Sequence, residues 1–173
     1  MLLSLKVKNY ALIKDVDLRF NRGLNIITGE TGAGKSILIG ALGLTLGKRA
    51  DTLALRNQDE KCVIEAEFDI SNYGMESFFT ENDIDFEKLT LVRREITTSG
   101  RSRAFINDTP TPLSALVQFG EGLIEIHSQH DNLQLFKKDF QFLVLDTLAN
   151  TNKEQAVYRE KYNRFKREQE DLI

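Results

Sequence analysis

The chain has 173 residues, of which 41% are hydrophobic and 28% charged, and its formal net charge is −3. That length accommodates one domain with an appendage, and the composition excludes both a disordered chain and a membrane-embedded one. The mild acidity provides no global field for nucleic acid, so any such contact has to be local.

In chain order, residues 1–16 break their apolar run with Lys6 and Lys8 and lack a small-residue cleavage site, so they do not read as a signal peptide. Residues 2–8 alternate apolar and polar as a strand, with a turn near Asn9–Tyr10. Val16 to Phe20 alternates again before the turn residues Asn21, Arg22 and Gly23. Leu24 to Thr28 is a short apolar run and is predicted as a strand. Ser36 to Leu46 sets Ile37, Leu38, Ala41 and Leu42 at helical spacing, which predicts a buried helix. Seven of the eleven glycines fall between Gly23 and Gly47. Gly40 and Gly43 lower the propensity of that helix by up to about 1 kcal/mol each relative to Ala. Their expected role is close approach to a sheet, with Gly47 as the helix stop.

Cys62 to Ile70, Leu91 to Ile96 and Arg103 to Asn107 read as strands, the last two joined by a hairpin-type connection at Thr97–Gly100. They predict an antiparallel part with one solvated face. Cys62 is the single cysteine, which rules out an internal disulfide. With only His127 and His130 beside it, no structural zinc site is expected. A cytosolic protein follows as the default. Pro110 and Pro112 punctuate, a short helix is predicted over Leu113–Phe119, and Gly122 to His127 reads as a further strand. A polar loop over Ser128–Asn132 and a helix from Leu133 to about Leu148 complete a first domain over 1–150. From Lys153 charges of both signs alternate. Tyr158, Tyr162, Phe165, Gln169 and Leu172 are spaced as a heptad seam. The seam is still running at Ile173, so residues 151–173 are expected to begin a truncated coiled coil.

The glycine crowding resolves into chemistry. Gly29-Glu30-Thr31-Gly32-Ala33-Gly34-Lys35-Ser36 matches the phosphate-loop pattern G-x-x-x-x-G-K-[ST], between a predicted strand and a predicted helix. Glycines let the backbone curl so that successive N–H groups point at phosphate oxygens, and the helix start adds partial positive charge. Lys35 is expected to reach the β- and γ-phosphates, Ser36 to complete an Mg²⁺ shell, and the binding set to run from Gly29 to Ile37. ATP and Mg²⁺ are the implied cofactors. A dinucleotide-binding loop fits worse, because it has no use for Lys35 and Ser36.

Turnover also needs an acid near the metal. Phe142-Leu143-Val144-Leu145-Asp146 imitates such a strand, but its apolar residues continue the helical spacing of Leu135, Phe136 and Phe140. Asp146 is therefore expected on a helix, with the acid-bearing strand absent. Gln129, in a polar loop after an apolar run, has the chemistry to ligate Mg²⁺ and sense a γ-phosphate, although a loop glutamine is ordinarily solvated. His127 and His130 flank it without a third ligand.

Taken together and in this order, GETGAGKSILIGALGLTLGKRAD, RREITTSGRSRAFIND and IEIHSQHDN resemble the N-terminal head segment of the RecN family of bacterial DNA-repair proteins. That family is a member of the SMC/Rad50-like branch of ATP-binding-cassette ATPases, and the resemblance covers essentially the whole chain. It implies an α/β fold: the N-terminal lobe of an ABC-type ATPase head, with an antiparallel β subdomain and an emerging coiled-coil helix. It implies that Gln129 is the Q-loop residue. It further implies a C-terminal lobe carrying the signature and Walker B motifs, a second head sharing ATP in a homodimer, DNA as the partner of the full-length protein, and a bacterial, nucleoid-associated setting. The function implied is ATP-dependent head dimerisation and hydrolysis in double-strand-break repair and recombination, with this lobe nearly inactive by itself.

Arg93, Arg94, Arg101 and Arg103 crowd the predicted hairpin, and Lys48–Arg49 follow the phosphate-loop helix. They read either as a positive face for DNA phosphates or a partner head, or as a solvated face paired with Glu65, Glu67 and Glu95. Asn9–Tyr10 and the loop after Gly47 are candidates for contact with a base. Two other functional readings stand beside the repair ATPase. One is a self-contained P-loop kinase with Arg93–Arg103 as its lid; the other is a coiled-coil module with a vestigial phosphate loop.

Overall fold

A computed structural model describes residues 1–29, 34–50, 55–124, 126 and 138–170. Strict alternation gives the first hairpin, β1 (Leu2–Tyr10) with β2 (Ile13–Arg19), in a register from Ser4 opposite Arg19 to Tyr10 opposite Ile13. The reversal falls just after the predicted turn, with φ 50° at Ala11 and φ 56° at Asn9. Asn9 is 4% exposed. Its Nδ2 donates to the carbonyls of Asn57 (2.9 Å) and Glu60 (2.8 Å), while its Oδ1 accepts from the Asn57 N–H at 2.7 Å. The amide thus pins the segment before the next strand, and none of it is left for a base.

On its other side β1 pairs with β3 (Cys62–Asp69), and β4 (Leu89–Ile96), β5 (Ser102–Ile106) and β6 (Thr109–Thr111) follow. The result is a six-stranded sheet in the order β2-β1-β3-β4-β5-β6, antiparallel at every pairing. The first two strands and the expected antiparallel part therefore belong to one sheet. β6 was read only as punctuation; it tolerates Pro110 because it is an edge strand. Leu5, Val7, Ile64, Ala66, Phe68, Val92, Ile96, Ala104 and Ile106 line the core face. The opposite face carries charge: Lys61 pairs with Glu95 at 3.1 Å, and Arg93 pairs with Asp108 at 3.0 Å.

Among the described residues, three helices pack with this sheet or beside it. α1 (Gly34–Thr45) packs against β1, β3 and β4, and α3 (Leu113–Leu123) against β5. α2 (Glu76–Glu81) went unread because six residues hold too few turns to display a period. It contributes Phe78 and Phe79 to an aromatic cluster around Phe119, whose centroid lies 5.5 Å from Phe78 and 6.3 Å from Phe68. Truncating such a buried ring costs about 3–5 kcal/mol.

Two predicted strands are corrected. Gly122 and Leu123 are the last turn of α3, because Leu116, Phe119 and Leu123 continue one buried helical stripe. Ile124, with φ −140° and ψ 134°, is extended, while Glu125 and His127 lie outside the described residues. Leu24 to Thr28 forms no strand: Leu24 is 87% and Ile26 75% exposed. An apolar run becomes a buried strand only where neighbouring strands offer it hydrogen bonds, and no described residue pairs with this one.

Met1–Ile126 forms one compact unit, and α4 (Lys138–Ala149) and α5 (Asn152–Glu170) belong to a second. Asp146 sits inside α4 as expected. Its Oδ1 accepts from the Thr151 hydroxyl (2.9 Å) and its Oδ2 from the Gln155 amide (3.0 Å), which fastens the turn between the helices. On α5, Tyr158 and Tyr162 stack at 6.0 Å and, with Phe165, stay exposed along the predicted seam. Leu172 lies outside the described residues. Among the described residues no helix is long and apolar enough to cross a membrane.

Candidate nucleotide-binding site

α1 begins at Gly34, with no acidic residue in its first turn to offset the partial positive charge of its N–H groups. Lys35, the next residue, turns its side chain back across the loop, and its Nζ donates to the Gly29 carbonyl at 2.6 Å. The ammonium is therefore held at Gly29, the last described residue before α1. Ser36 is exposed in the same first turn, and Ile37 is half-buried behind it. Of the expected set, Gly29, Gly34, Lys35, Ser36 and Ile37 are thus brought together at one helix start. Glu30, Thr31, Gly32 and Ala33 lie outside the described residues, as do Gln129, His127 and His130.

The glycines along α1 serve different ends. A Cβ on Gly34 would meet nothing within 4 Å. Among the described residues, packing therefore gives no reason for glycine there. A Cβ on Gly40 would sit 3.0 Å from the Tyr10 hydroxyl, so the helix does come close to β1. Gly43 faces the Lys48 side chain rather than the sheet. Gly47 has φ 89°, and a Cβ there would lie 2.9 Å from the Val117 backbone nitrogen of α3. It stops the helix and lets α1 and α3 touch.

Tyr10 is committed to Leu55 by a backbone bridge and to the face of α1 at Gly40, so it is packed rather than presented to a base. The hairpin arginines do not form one cluster. Alternation turns Arg93 outward, where its guanidinium lies over Phe105 at 4.7 Å and pairs with Asp108 and Glu95. Arg94 points into the core face and is 4% exposed. That difference was legible in the sequence, since Thr90, Val92, Arg94 and Ile96 share one parity of the strand.

A family model described as an AAA domain matches residues 4–173, and the chain belongs to that family. It is 44% identical to the DNA repair protein RecN of Vibrio cholerae over 150 residues, covering 86% of this chain and 27% of that protein. It is 36% identical to RecN of Bacillus subtilis over 169 residues, covering 95% of this chain and 29% of that protein. The chain thus spans under a third of the length of these relatives. Among solved structures, one from work on ATP-driven dimerisation and DNA-stimulated activation of SMC ATPases aligns with a TM-score of 0.58 at 18% identity, covering 85% of this chain and 98% of that one. A structure of the recombination mediator RecF with an ATP analogue aligns with a TM-score of 0.52 at 18% identity, covering 67% of this chain and 29% of that one. The fold is that of SMC- and RecF-type ATPase heads.

Proposed function

We propose that this chain is the ATP-binding lobe of a RecN-like ATPase that acts in bacterial DNA double-strand-break repair. The observation that carries the reading is Lys35, held by the Gly29 carbonyl at the start of α1 within a complete phosphate-loop sequence. The RecN relatives supply the repair context, and the SMC-type head fold supplies the architecture.

The residues fit the nucleotide. Backbone N–H groups from Gly29 to Ile37 bind the phosphate chain, and Lys35 exchanges the Gly29 carbonyl for β- and γ-phosphate oxygens. The Ser36 hydroxyl and the Gln129 amide oxygen would hold Mg²⁺, and Gln129 would register the γ-phosphate. When bound, the metal neutralises charge that develops on the transferred phosphoryl group. Gly34 leaves the room that a side chain would fill.

The rest of the catalytic inventory belongs to a C-terminal lobe and a second head, which share ATP with this lobe in a homodimer that regulates engagement with DNA. The exposed Leu24, Ile26 and Ile27 support this, because that run has the character of a central strand and none of the burial. The setting is cytoplasmic and nucleoid-associated. Calorimetric titration with ATP and Mg²⁺ tests the reading: binding that vanishes in Lys35→Ala, without turnover by the chain alone, is the expected result. Robust hydrolysis abolished by Lys35→Ala, or phosphoryl transfer to an acceptor other than water, contradicts it.

A further inference from the structure

A second cationic site lies within the same compact unit, at the far end of α1 from the phosphate loop. The segment following α1, the hairpin β4–β5 and the start of α3 border an open cavity of about 710 Å³. Arg49, Arg94, Arg103, Thr111, Pro112 and Leu113 line it, and among the described residues no carboxylate does.

Arg94 is the unusual member. It stands on the core-facing side of β4 between Val92 and Ile96, opposite Ile64 of β3 and Ala104 of β5. It is 4% exposed, and its Nε is buried without a hydrogen-bond partner. Burial lowers its pKa, yet a guanidinium stays charged far beyond neutral pH. A charge desolvated in this way is stable only when something opposite in sign approaches it. Among the described residues, the acids nearest along the hairpin are engaged elsewhere. Glu95, directly across the ladder from Arg103, has its Oε1 on Lys61 and Arg93, and Asp108 is on Arg93.

The start of α3 adds a second kind of positive charge to the same cavity. Pro112 occupies the N-cap position with no side-chain hydrogen bond. The first helical bond runs from the Leu116 N–H to the Pro112 carbonyl, so the N–H groups of Leu113, Ser114 and Ala115 precede the ladder. A helix start of this kind attracts oxyanions. Arg94 faces this cavity from the core side of the sheet together with the start of α3, and Arg49 and Arg103 border it, with Phe105, Pro110 and Leu113 in its wall.

From this we infer that the cavity is a binding site for a phosphate group, gripped by Arg94 from within and by Arg49 and Arg103 at its rim, with the apolar wall receiving whatever the phosphate is attached to. Planar guanidiniums bind phosphate oxygens in pairs, which suits three of them around one tetrahedral anion. The open cavity leaves room beside a phosphate, and a free nucleotide and the end of a nucleic-acid strand are the two sources the test separates. The site is independent of the phosphate loop, and the reading of that loop as an ATP site stands or falls without it.

The test uses the whole chain with Lys35→Ala, which silences the phosphate loop. Thermal denaturation is followed against inorganic phosphate, thymidine monophosphate, and a ten-residue oligothymidylate with and without a 5′-phosphate. A saturable rise in Tm with phosphate or the monophosphate is expected, with the apparent Kd weakened at least tenfold in Arg49→Ala/Arg103→Ala, whose rim positions leave the core intact. Arg94→Met should lose the response altogether while remaining folded by circular dichroism. If that variant does not fold, the rim double variant alone decides the matter. Preference for the 5′-phosphorylated oligonucleotide over the unphosphorylated one assigns the phosphate to a strand end; equal response to the monophosphate assigns it to a free nucleotide. No phosphate-linked shift in the Lys35→Ala protein, or an undiminished shift in the rim double variant, overturns the inference.

Discussion

Lys35 and Gly29 are joined across the phosphate loop by a 2.6 Å hydrogen bond from the lysine ammonium to the glycine carbonyl. The bond holds the ammonium beside one end of the phosphate-loop sequence, which lowers the cost of ordering it for a phosphate. Charge-assisted hydrogen bonds contribute about 1.5–3 kcal/mol each. Lys35→Ala is accordingly expected to weaken ATP binding by at least tenfold while leaving the urea midpoint of the chain nearly unchanged. Calorimetry and equilibrium unfolding on the same protein check both halves.

Gly34 and Gly47 bracket α1 and should respond in opposite ways. Among the described residues Gly34→Ala meets no atom within 4 Å, so stability is expected to hold or rise by up to about 1 kcal/mol through helix propensity. Nucleotide affinity should fall, because the methyl group occupies the ligand's approach. Gly47→Ala places a Cβ at φ 89°, against the backbone of Val117. A loss of about 1–3 kcal/mol is expected from the backbone alone, with a further loss wherever α1 and α3 are forced apart. Urea midpoints of the two variants, measured side by side, separate a ligand-facing glycine from a packing one.

Asn9 was legible as a turn residue but not as a staple, since its three hydrogen bonds reach residues about fifty positions away. No local pattern carries that information. Asn9→Ala strands two carbonyls and one N–H in a partly buried place and puts alanine at φ 56°. A destabilisation of about 2–3 kcal/mol is expected, at roughly 1–3 kcal/mol for each unsatisfied buried group discounted for relaxation. Nucleotide affinity should not change. A drop in affinity without a drop in stability would restore Asn9 as a base contact.

Cys62 is fully buried on the core face of β3, and desolvation pushes its thiol up to about 12. The unfolded chain ionises near the ordinary thiol value, so between the two the folded state holds a proton that the unfolded state has released. Stability is therefore indifferent to this group below about pH 8.5 and falls as pH rises above it, by up to about 1.4 kcal/mol per pH unit. Comparing the slope of unfolding free energy over pH 8.5–10.5 between the wild type and Cys62→Ala isolates the effect from the tyrosines and lysines common to both. Equal slopes in the two proteins would contradict it. Disulfide reagents should likewise label Cys62 only at the rate of unfolding.

Where the sequence was readable, the cause was period. β1, β3, β4 and β5 announce themselves by alternation, and the same alternation separates Arg93 from Arg94 once the strand is seen as having a wet and a dry face. α1 is announced by its stripe and its glycine stop. What could not be read has a different cause in each place. α2 is too short for a period, and β6 hides behind two prolines that an edge strand accepts. The phosphate-site arginines come together only because Arg49, Arg94 and Arg103 sit on three separate segments folded around one cavity.

Leu24, Ile26 and Ile27 show the limit most plainly, because their apolar pattern describes a setting that the described residues do not provide. Leu24 is 87%, Ile26 75% and Ile27 47% exposed. Substitutions at exposed positions lie within about 0.5 kcal/mol of neutral. Leu24→Ser/Ile26→Ser is therefore expected to leave the unfolding midpoint of this chain almost unchanged and to reduce its tendency to associate. If the run is a central strand waiting for the C-terminal lobe, the same double substitution should weaken association with a separately produced lobe by tenfold or more, since each apolar side chain taken from water contributes about 1.5–3 kcal/mol. Analytical ultracentrifugation of the two lobes mixed, with and without the substitutions, reads this directly. Undiminished association would send the search for the lobe interface to another face of the sheet.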